Sequence, residues 1–195
     1  MRQDSSGRPM SRPSKSQQNL AGSLILAHPS MMDPNFRRTV ILLSAHNEEG
    51  ALGVVVNRPM GCQLGDFSEE FADGALADIP VYDGGPVNGK QIMLSAWQSE
   101  SMMGVFRLYF GIDLDTASGL MASPEDPTIR AFAGYAGWGE GQLEGELAQN
   151  AWIVSPVSPE MLDRLEGVNM WRTILGEISP ELRFLADAPD DPSRN

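Results

Sequence analysis

Cysteine and histidine are scarce in this chain of 195 residues. Cys62 is the only cysteine, which excludes an intramolecular disulfide and a metal site built from several thiolates. His28 and His46 are the only histidines, and a zinc site would need both of them and a carboxylate. We therefore predict no metal and no cofactor. Sparing use of cysteine is typical of reducing compartments, so we predict a cytoplasmic protein.

Long apolar runs are also missing. No run approaches the roughly 18 residues of a membrane-spanning helix, so we predict no membrane span and expect no secretory signal. Hydrophobic residues nevertheless make up 42% of the chain, which is enough for a packed core. The length fits one domain.

Positive charge is in the minority. Lys and Arg number 14 against 26 Asp and Glu, which gives a formal net charge of −12. An acidic surface repels phosphate backbones, and no helix-turn-helix signature or basic helix is visible, so direct DNA binding is disfavoured.

The charge is uneven along the chain. Residues 1–18 carry four basic side chains and one acidic one, and they are rich in Ser and Pro. This composition predicts a disordered tail over 1–19. We predict a folded domain over 20–177 and a partly ordered acidic tail over 178–195.

Short runs of β-branched and aliphatic residues alternate with turn signals over most of the domain. They predict strands at 20–27, 37–46, 51–59, 91–97, 101–116, 129–136 and 151–157, with a short strand end near 81. The second and third strands predict a hairpin. A broken helix is expected over 61–79, and helices are expected at 158–166, capped by Ser158, and at 168–177, capped by Asn169. Because hairpins outnumber βαβ units, we predict an α+β fold with a mainly antiparallel sheet and several helices.

The segment GYAGWGEGQLEGEL, residues 134–147, combines glycines with carboxylates. Leu143 and Leu147 lie one helical turn apart, which indicates a helix with one apolar face. The glycines then turn a strand into this helix, and the glutamates lie on its solvated side. The alternative is a site in which backbone N–H groups meet an anion, although the phosphate-loop pattern is absent.

Two further segments have both a structural and a functional interpretation. DGGPV, residues 83–87, predicts a tight turn or a close approach of the backbone to another group. In NRP, residues 57–59, the arginine either binds an anion as a fixed fork or pairs with an acidic side chain.

The remaining candidates for chemistry favour structural roles. His28, Asp33 and His46 could form an acid–base set, but nothing in the sequence brings them together. Ser44 and Ser95 lack the G-x-S-x-G context of a hydrolase nucleophile. Cys62 is interpreted as a packing or partly exposed thiol.

The order of these blocks resembles the YqgE/AlgH family of small bacterial proteins. The resemblance rests on LAGSLILAHPSMMDPNFRRTVILLSAHNEEGALGVVVNRP, GGPV and GYAGWGEGQLEGELAQNAWIV, and it spans about residues 20–177. The family's motif positions fall on Asp33, Pro34, Phe36, Gly50, Gly53, Asn57, Arg58, Pro59, Gly84, Gly85, Pro86, Val87, Gly134, Gly137, Trp138, Gln142, Leu143, Glu144, Glu146 and Trp152.

The resemblance implies a compact α/β arrangement with an unusual topology. One branch of the family is labelled a transcriptional regulator, which implies at most an indirect role for a chain without a DNA-binding motif. Family members often carry a histidine where this chain has Ser95, so a catalytic histidine at that position is not expected here.

Three interpretations of the motif blocks remain open. In the first, the protein is a non-enzymatic regulatory protein that binds a small anionic ligand or a protein partner. Its candidate cleft comprises Asn57, Arg58, Pro59, Gly84, Gly85, Pro86, Trp138, Gln142 and Glu144. In the second, it is a metal-independent, hydrolase-like enzyme with Glu144 or Glu146 as general base and Arg58 as anion stabiliser. In the third, the blocks only specify the fold.

Overall fold

A computed structural model describes residues 19–100 and 105–188. Within these ranges the chain forms nine strands and six α-helices. The strands are β1 (Leu24–Ala27), β2 (Val40–Asn47), β3 (Gly50–Val55), β4 (Pro59–Gln63), β5 (Pro80–Asp83), β6 (Val87–Glu100), β7 (Val105–Ile112), β8 (Thr128–Gly139) and β9 (Trp152–Ser155). The helices are α1 (Leu64–Phe67), α2 (Leu114–Met121), α3 (Gln142–Ala148), α4 (Pro159–Arg164), α5 (Gly167–Ile178) and α6 (Pro180–Asp187).

All nine strands belong to one curled sheet. Its main path runs β4-β5-β8-β3-β2-β1-β9, and β6 joins β8 while carrying β7 on its other side. The β5–β8 pair is parallel and the other described pairs are antiparallel. The predicted α+β class with a mainly antiparallel sheet is confirmed.

The central strands are buried on both faces. Along β1 to β3, successive side chains point to opposite sides of the sheet, so one run of aliphatic residues supplies two cores. Leu24, Leu42 and Val54 face a helix-side core, which α4 and α5 complete with Leu162 and Trp171.

The opposite face contributes Ile25, Ile41 and Val55 to a tryptophan-side core with Trp138 and Trp152. A third cluster lies under β5, β6 and β8 and includes Leu64 of α1 and Ala117 of α2. The sheet is thus covered on both sides, which explains why its central strands lack polar alternation.

The hairpin predicted from the second and third strands is β2–β3, with Ile41 paired to Val55. The third strand ends at Val55, however, and not at Pro59 as predicted. Pro59 begins β4, which turns away to pair with β5. Two residues beyond the end of β3, the buried Asn57 side chain bonds to the backbone of other segments.

The long strand predicted over 101–116 is also shorter in the structure. β7 ends at Ile112, and α2 follows with Asp113 as its N-cap, whose Oδ1 accepts from the Thr116 N–H at 2.7 Å. Residues 101–104 lie outside the described part of the chain. A capping aspartate before a helix is a signal that the strand prediction overlooked.

The two helices predicted after the last strand are α4 and α5, and both begin without the predicted caps. The side chain of Ser158 makes no capping bond at α4, and α5 starts at Gly167 after Glu166, so Asn169 is not its cap. α6 follows within the segment expected to be partly ordered, with the Ser179 hydroxyl accepting from Glu181 and Leu182 and with Ala186 buried. The tail predicted over 1–19 falls, apart from Asn19, outside the described residues.

Candidate functional site

The glycine-rich segment turns β8 into α3. Gly139 ends the strand, and Gly141 precedes the helix with φ +68°, a left-handed conformation that glycine adopts without strain. Leu143 is buried in the tryptophan-side core, with Leu147 packed against it. The glycines therefore turn a strand into a helix, as the sequence predicts.

Glu146 on α3 binds both tryptophans of this core. The Trp138 indole N–H donates to Glu146 Oε2 at 2.9 Å, and the Trp152 indole N–H donates to the same oxygen at 2.6 Å. Gln142 Nε2 donates to Glu146 Oε1 at 2.9 Å. Phe36 packs on both indoles, with ring centroids at 6.3 Å from Trp138 and 5.5 Å from Trp152. The carboxylate of Glu146 thus satisfies two buried donors and holds α3 against the sheet.

Glu144 is paired with His46. The buried imidazole accepts from the Leu20 N–H at Nδ1 over 3.0 Å, which assigns its proton to Nε2. That N–H donates to Glu144 Oε1 at 2.7 Å. The other histidine, His28, contacts Ser30 and not His46, so the structure does not assemble the acid–base set of His28, Asp33 and His46.

Arg58 holds the loop that precedes β2. Its Nη1 donates to the Asn35 carbonyl at 2.8 Å, and its Nη2 lies 3.4 Å from the Pro34 carbonyl and 3.3 Å from the Arg37 carbonyl. Asp83 lies 3.9 Å from Nη1. The guanidinium fork therefore organises a loop of backbone acceptors and is half of a loose ion pair.

The neighbouring Asn57 joins three segments. Its Oδ1 accepts from the Val40 N–H at 2.8 Å, and its Nδ2 donates to the carbonyls of Arg38 at 3.0 Å and Gly167 at 2.8 Å. Asn57 is 1% exposed, so these bonds satisfy its own buried amide group.

The Gly84–Gly85–Pro86 turn packs its backbone against β8. The Gly84 N–H donates to the Ala133 carbonyl at 2.8 Å. Gly85 has φ +142°, and a Cβ added there would lie 2.4 Å from the carbonyl carbon of Tyr135. Close approach of two backbones explains the double glycine.

The predicted cleft residues fall into separate groups. Trp138, Gln142 and Glu144 lie around α3, whereas Asn57 and Arg58 lie beyond the opposite end of β3, because Trp138 pairs with Ala51 at the strand's start. Pro59 pairs with Tyr82 in β4–β5, and the Gly84–Pro86 turn lies on β8. The loop before β2 links the first two groups, since Phe36 packs on Trp138 and Arg58 binds the carbonyls beside it.

Asn57 and Arg58 line an open cavity of about 410 Å³. Its lining comprises Met32, Pro34, Arg37, Arg38, Asn57, Arg58, Gly167 and Val168. Sequence reasoning assigned Arg37 and Arg38 to the second strand and missed their place here. The structure puts them just before β2, with Arg38 at φ +59°, a conformation that is uncommon outside glycine.

A single buried arginine, Arg130, lies against aromatic residues of the helix-side core. Sequence reasoning did not identify it. The Arg130 guanidinium carbon lies 4.5 Å from the Tyr82 ring centroid and 4.8 Å from that of Trp97. Burial lowers the pKa of Arg130 and raises the pKa of Tyr82 to about 12, with the Tyr82 hydroxyl donating to Glu166 Oε1 at 2.6 Å. An arginine in the middle of an apolar strand is the signal that could have found it.

The described residues offer neither a metal site nor a membrane-spanning helix. Over 19–100 and 105–188, no group of three or more His, Cys, Asp or Glu side chains is placed to hold a metal ion. No helix in that part of the chain is long and apolar enough to cross a bilayer.

Comparison with known proteins extends over nearly the whole described chain. The AlgH-like family profile matches residues 24–183. A UPF0301 protein of Streptomyces coelicolor is 40% identical over 186 residues, covering 91% of this chain and 96% of the relative. A UPF0301 protein of Xanthomonas campestris pv. campestris is 35% identical, covering 86% and 94%.

Solved structures agree with the fold. The solution structure of the AlgH protein from Pseudomonas aeruginosa superposes with a TM-score of 0.65 at 29% identity, covering 93% of this chain and 100% of that one. A crystal structure of a Corynebacterium diphtheriae protein gives a TM-score of 0.69 at 22% identity, covering 88% and 94%, and shows the shared fold. The match to the family profile and the identity to the curated relatives show that this chain belongs to the AlgH-like family.

Proposed function

We propose that the protein is a non-enzymatic binding protein that takes a small anionic ligand in the cavity beside Arg58. The observation that carries the proposal is the charge of the cavity wall. Arg37, Arg38 and Arg58 all contribute to it, and none of its described lining residues is acidic. In a chain of net charge −12, this concentration of positive charge favours an anion locally.

The backbone of the wall adds to the positive potential. Gly167 and Val168 are the first residues of the 12-residue α5, so the positive end of its dipole lies at the cavity. The preceding Glu166 does not cap the helix, because its carboxylate accepts from Tyr82. Three arginines beside a helix N-terminus support a phosphate- or carboxylate-bearing ligand.

Size and apolar contacts support a small molecule. A volume of about 410 Å³ falls within the range of ligand pockets. Met32 is 69% exposed and Val168 is 37% exposed at the rim, so the wall also offers apolar surface. A ligand with one anionic group and a short apolar part would use both features.

The hydrolase-like alternative has less support. Its general base, Glu144, accepts from His46, and Glu146 accepts from two indoles. Arg58 lies at the other end of β3 and binds backbone carbonyls. A reaction that needs Glu144 and Arg58 around one substrate is not favoured by this arrangement. Direct DNA binding is likewise disfavoured by the acidic charge.

The test is a titration of the ¹⁵N-labelled full chain with inorganic phosphate and, separately, with acetate, read by amide chemical shifts. We expect saturable shifts at Val168 and at the loop of Arg37 and Arg38. The double variant Arg37→Gln, Arg38→Gln should weaken binding at least tenfold. Arg164→Gln, an exposed residue on α4, is the control for lost positive charge and should bind like the wild type. Absence of saturable shifts at the cavity, or equal weakening in the control, would overturn the proposal.

A further inference from the structure

Strand β7 forms a long edge of the sheet. β7 pairs with β6 on one side, and no other described strand pairs with it. It is eight residues long, contains no proline and carries one charged residue, Arg107. A long, largely apolar edge strand presents a row of backbone donors and acceptors to another strand.

The other two edges differ from β7. β9 has four residues and is followed by Pro156. β4 begins with Pro59, contains Gly61 at φ +73° and pairs with β5 in an irregular register. Short length and proline are devices that prevent strand addition, and β7 has neither of them. The irregular backbone of β7 is confined to its end, where Gly111 has φ +59° and the pairing with β6 shifts register between Phe110 and Ile112.

The β6–β7 hairpin also projects beyond the rest of the sheet. β6 pairs with β8 as far as Trp97, which lies opposite Thr128. The last three residues of β6, from Gln98 onwards, pair with β7 alone, where Gln98 lies opposite Arg107. A two-stranded ribbon is marginally stable in water, whereas three or more strands support one another.

The sequence of β7 is complementary to its own copy. Two antiparallel copies in one sheet are related by a two-fold axis perpendicular to the sheet. Residues directly opposite each other point to the same face of the sheet, so the axis must lie where one residue is opposite its own copy. An axis at Leu108 places Phe106 opposite the copy's Phe110 and Leu108 opposite the copy's Leu108. It places Arg107 opposite the copy's Tyr109. An axis at Arg107 would instead place the two copies of Arg107 opposite each other, and their positive charges would repel.

We propose that β7 is a self-association surface through which two copies of this chain pair antiparallel about Leu108. The pairing joins the two sheets into one. In it, β6 and β7 of one copy and β7 and β6 of the other form a continuous four-stranded segment. Phe106, Leu108 and Phe110 pack against the helix-side core of their own chain, so they already define the face that the copy must match. The inference is independent of the anion site, which lies at the end of β3.

The oligomeric state is measured first. Sedimentation velocity of the full chain over a range of concentrations should show a mass that rises from 21.2 kDa towards twice that value. A constant monomer mass at all concentrations would overturn the proposal. If deletion of residues 1–18 converts such a monomer into a dimer, the chain's own N-terminal segment covers the edge and the proposal is again wrong.

The register is tested by disulfide formation in a Cys62→Ser background. An equimolar mixture of Arg107→Cys and Tyr109→Cys chains should form covalent dimers on oxidation. Each variant alone should form far fewer, because its cysteines face the copy diagonally and lie too far apart for a disulfide. Arg164→Cys is the control for random collision. A dimer whose mixed cysteines cross-link no faster than the control would place the interface elsewhere and refute pairing through β7.

Discussion

The indole N–H of Trp152 donates to Glu146 Oε2 at 2.6 Å, across the junction between α3 and β9. Trp138, which comes from β8, donates to the same oxygen. One carboxylate therefore joins both ends of the segment that carries the glycine-rich turn. Glu146 and Glu144 of that segment hold α3 to the sheet, through the two indoles and through His46, which answers why glycine and carboxylate occur together there.

Replacement of Glu146 should destabilise the fold. Glu146→Ala leaves two buried indole donors without an acceptor, and we expect a loss of about 2–4 kcal/mol in the free energy of unfolding. Glu146→Gln retains one acceptor oxygen and should lose less. Denaturant unfolding followed by tryptophan fluorescence measures both. The exposed Glu140→Gln is the matched control, with an expected change within about 0.5 kcal/mol.

The local part of this arrangement was predictable from sequence. Glycines between a strand pattern and the Leu143–Leu147 stripe indicated the turn and the helix. The partners of Glu146 were not predictable, because both tryptophans reach it only after β8 and β9 take their places on opposite sides of β1 to β3. The order of strands in the sheet decides which distant residues meet. The spacing of apolar residues along the sequence predicts strands and helices but not that order.

The cavity illustrates the same limit. The sequence singles out Asn57 and Arg58, but it predicts a strand for Arg37 and Arg38 because they precede an aliphatic run. Gly167 also lines the cavity, although it lies 110 positions after Asn57 in the chain. The single cleft expected from the motif blocks also required Arg58 and Trp138 to be neighbours, and the length of β3 separates them.

Gly85→Ala should be severely destabilising. The backbone at φ +142° disfavours any side chain, and the added methyl group would meet the Tyr135 backbone, which cannot move without breaking β8. We expect a loss of about 3 kcal/mol or more. Gly89→Ala is the control, because a Cβ there has no atom within 4 Å. Equal thermal stability of the two variants would show that the Gly85 contact is relaxed in solution.

Ser95→Ala should be neutral or stabilising. Ser95 is fully buried in β6, and its Oγ is without a hydrogen-bond partner among the described residues. Removing an unsatisfied buried hydroxyl removes its desolvation cost, so we expect a gain of about 0–1 kcal/mol in the free energy of unfolding.

Ser44→Ala is the comparison for Ser95→Ala. The Ser44 hydroxyl donates to the Leu52 carbonyl at 3.0 Å, so its removal should cost about 1 kcal/mol. Chemical denaturation of both variants gives the sign of each change. A clear loss in Ser95→Ala would mean that the hydroxyl has a partner, such as a buried water.

Tyr82 should make stability fall with pH in the alkaline range. Burial, aided by the bond to Glu166, raises the pKa of Tyr82 to about 12 in the folded protein, against about 10 when unfolded. The stabilising contribution is full below pH 10 and is lost as the pH rises towards 12, because the unfolded chain releases the proton first. The free energy of unfolding of the wild type should therefore decline more steeply above about pH 10 than that of Tyr82→Phe. Equal slopes in the wild type and in Tyr82→Phe would show that Tyr82 ionises as readily in the folded state as in the unfolded chain.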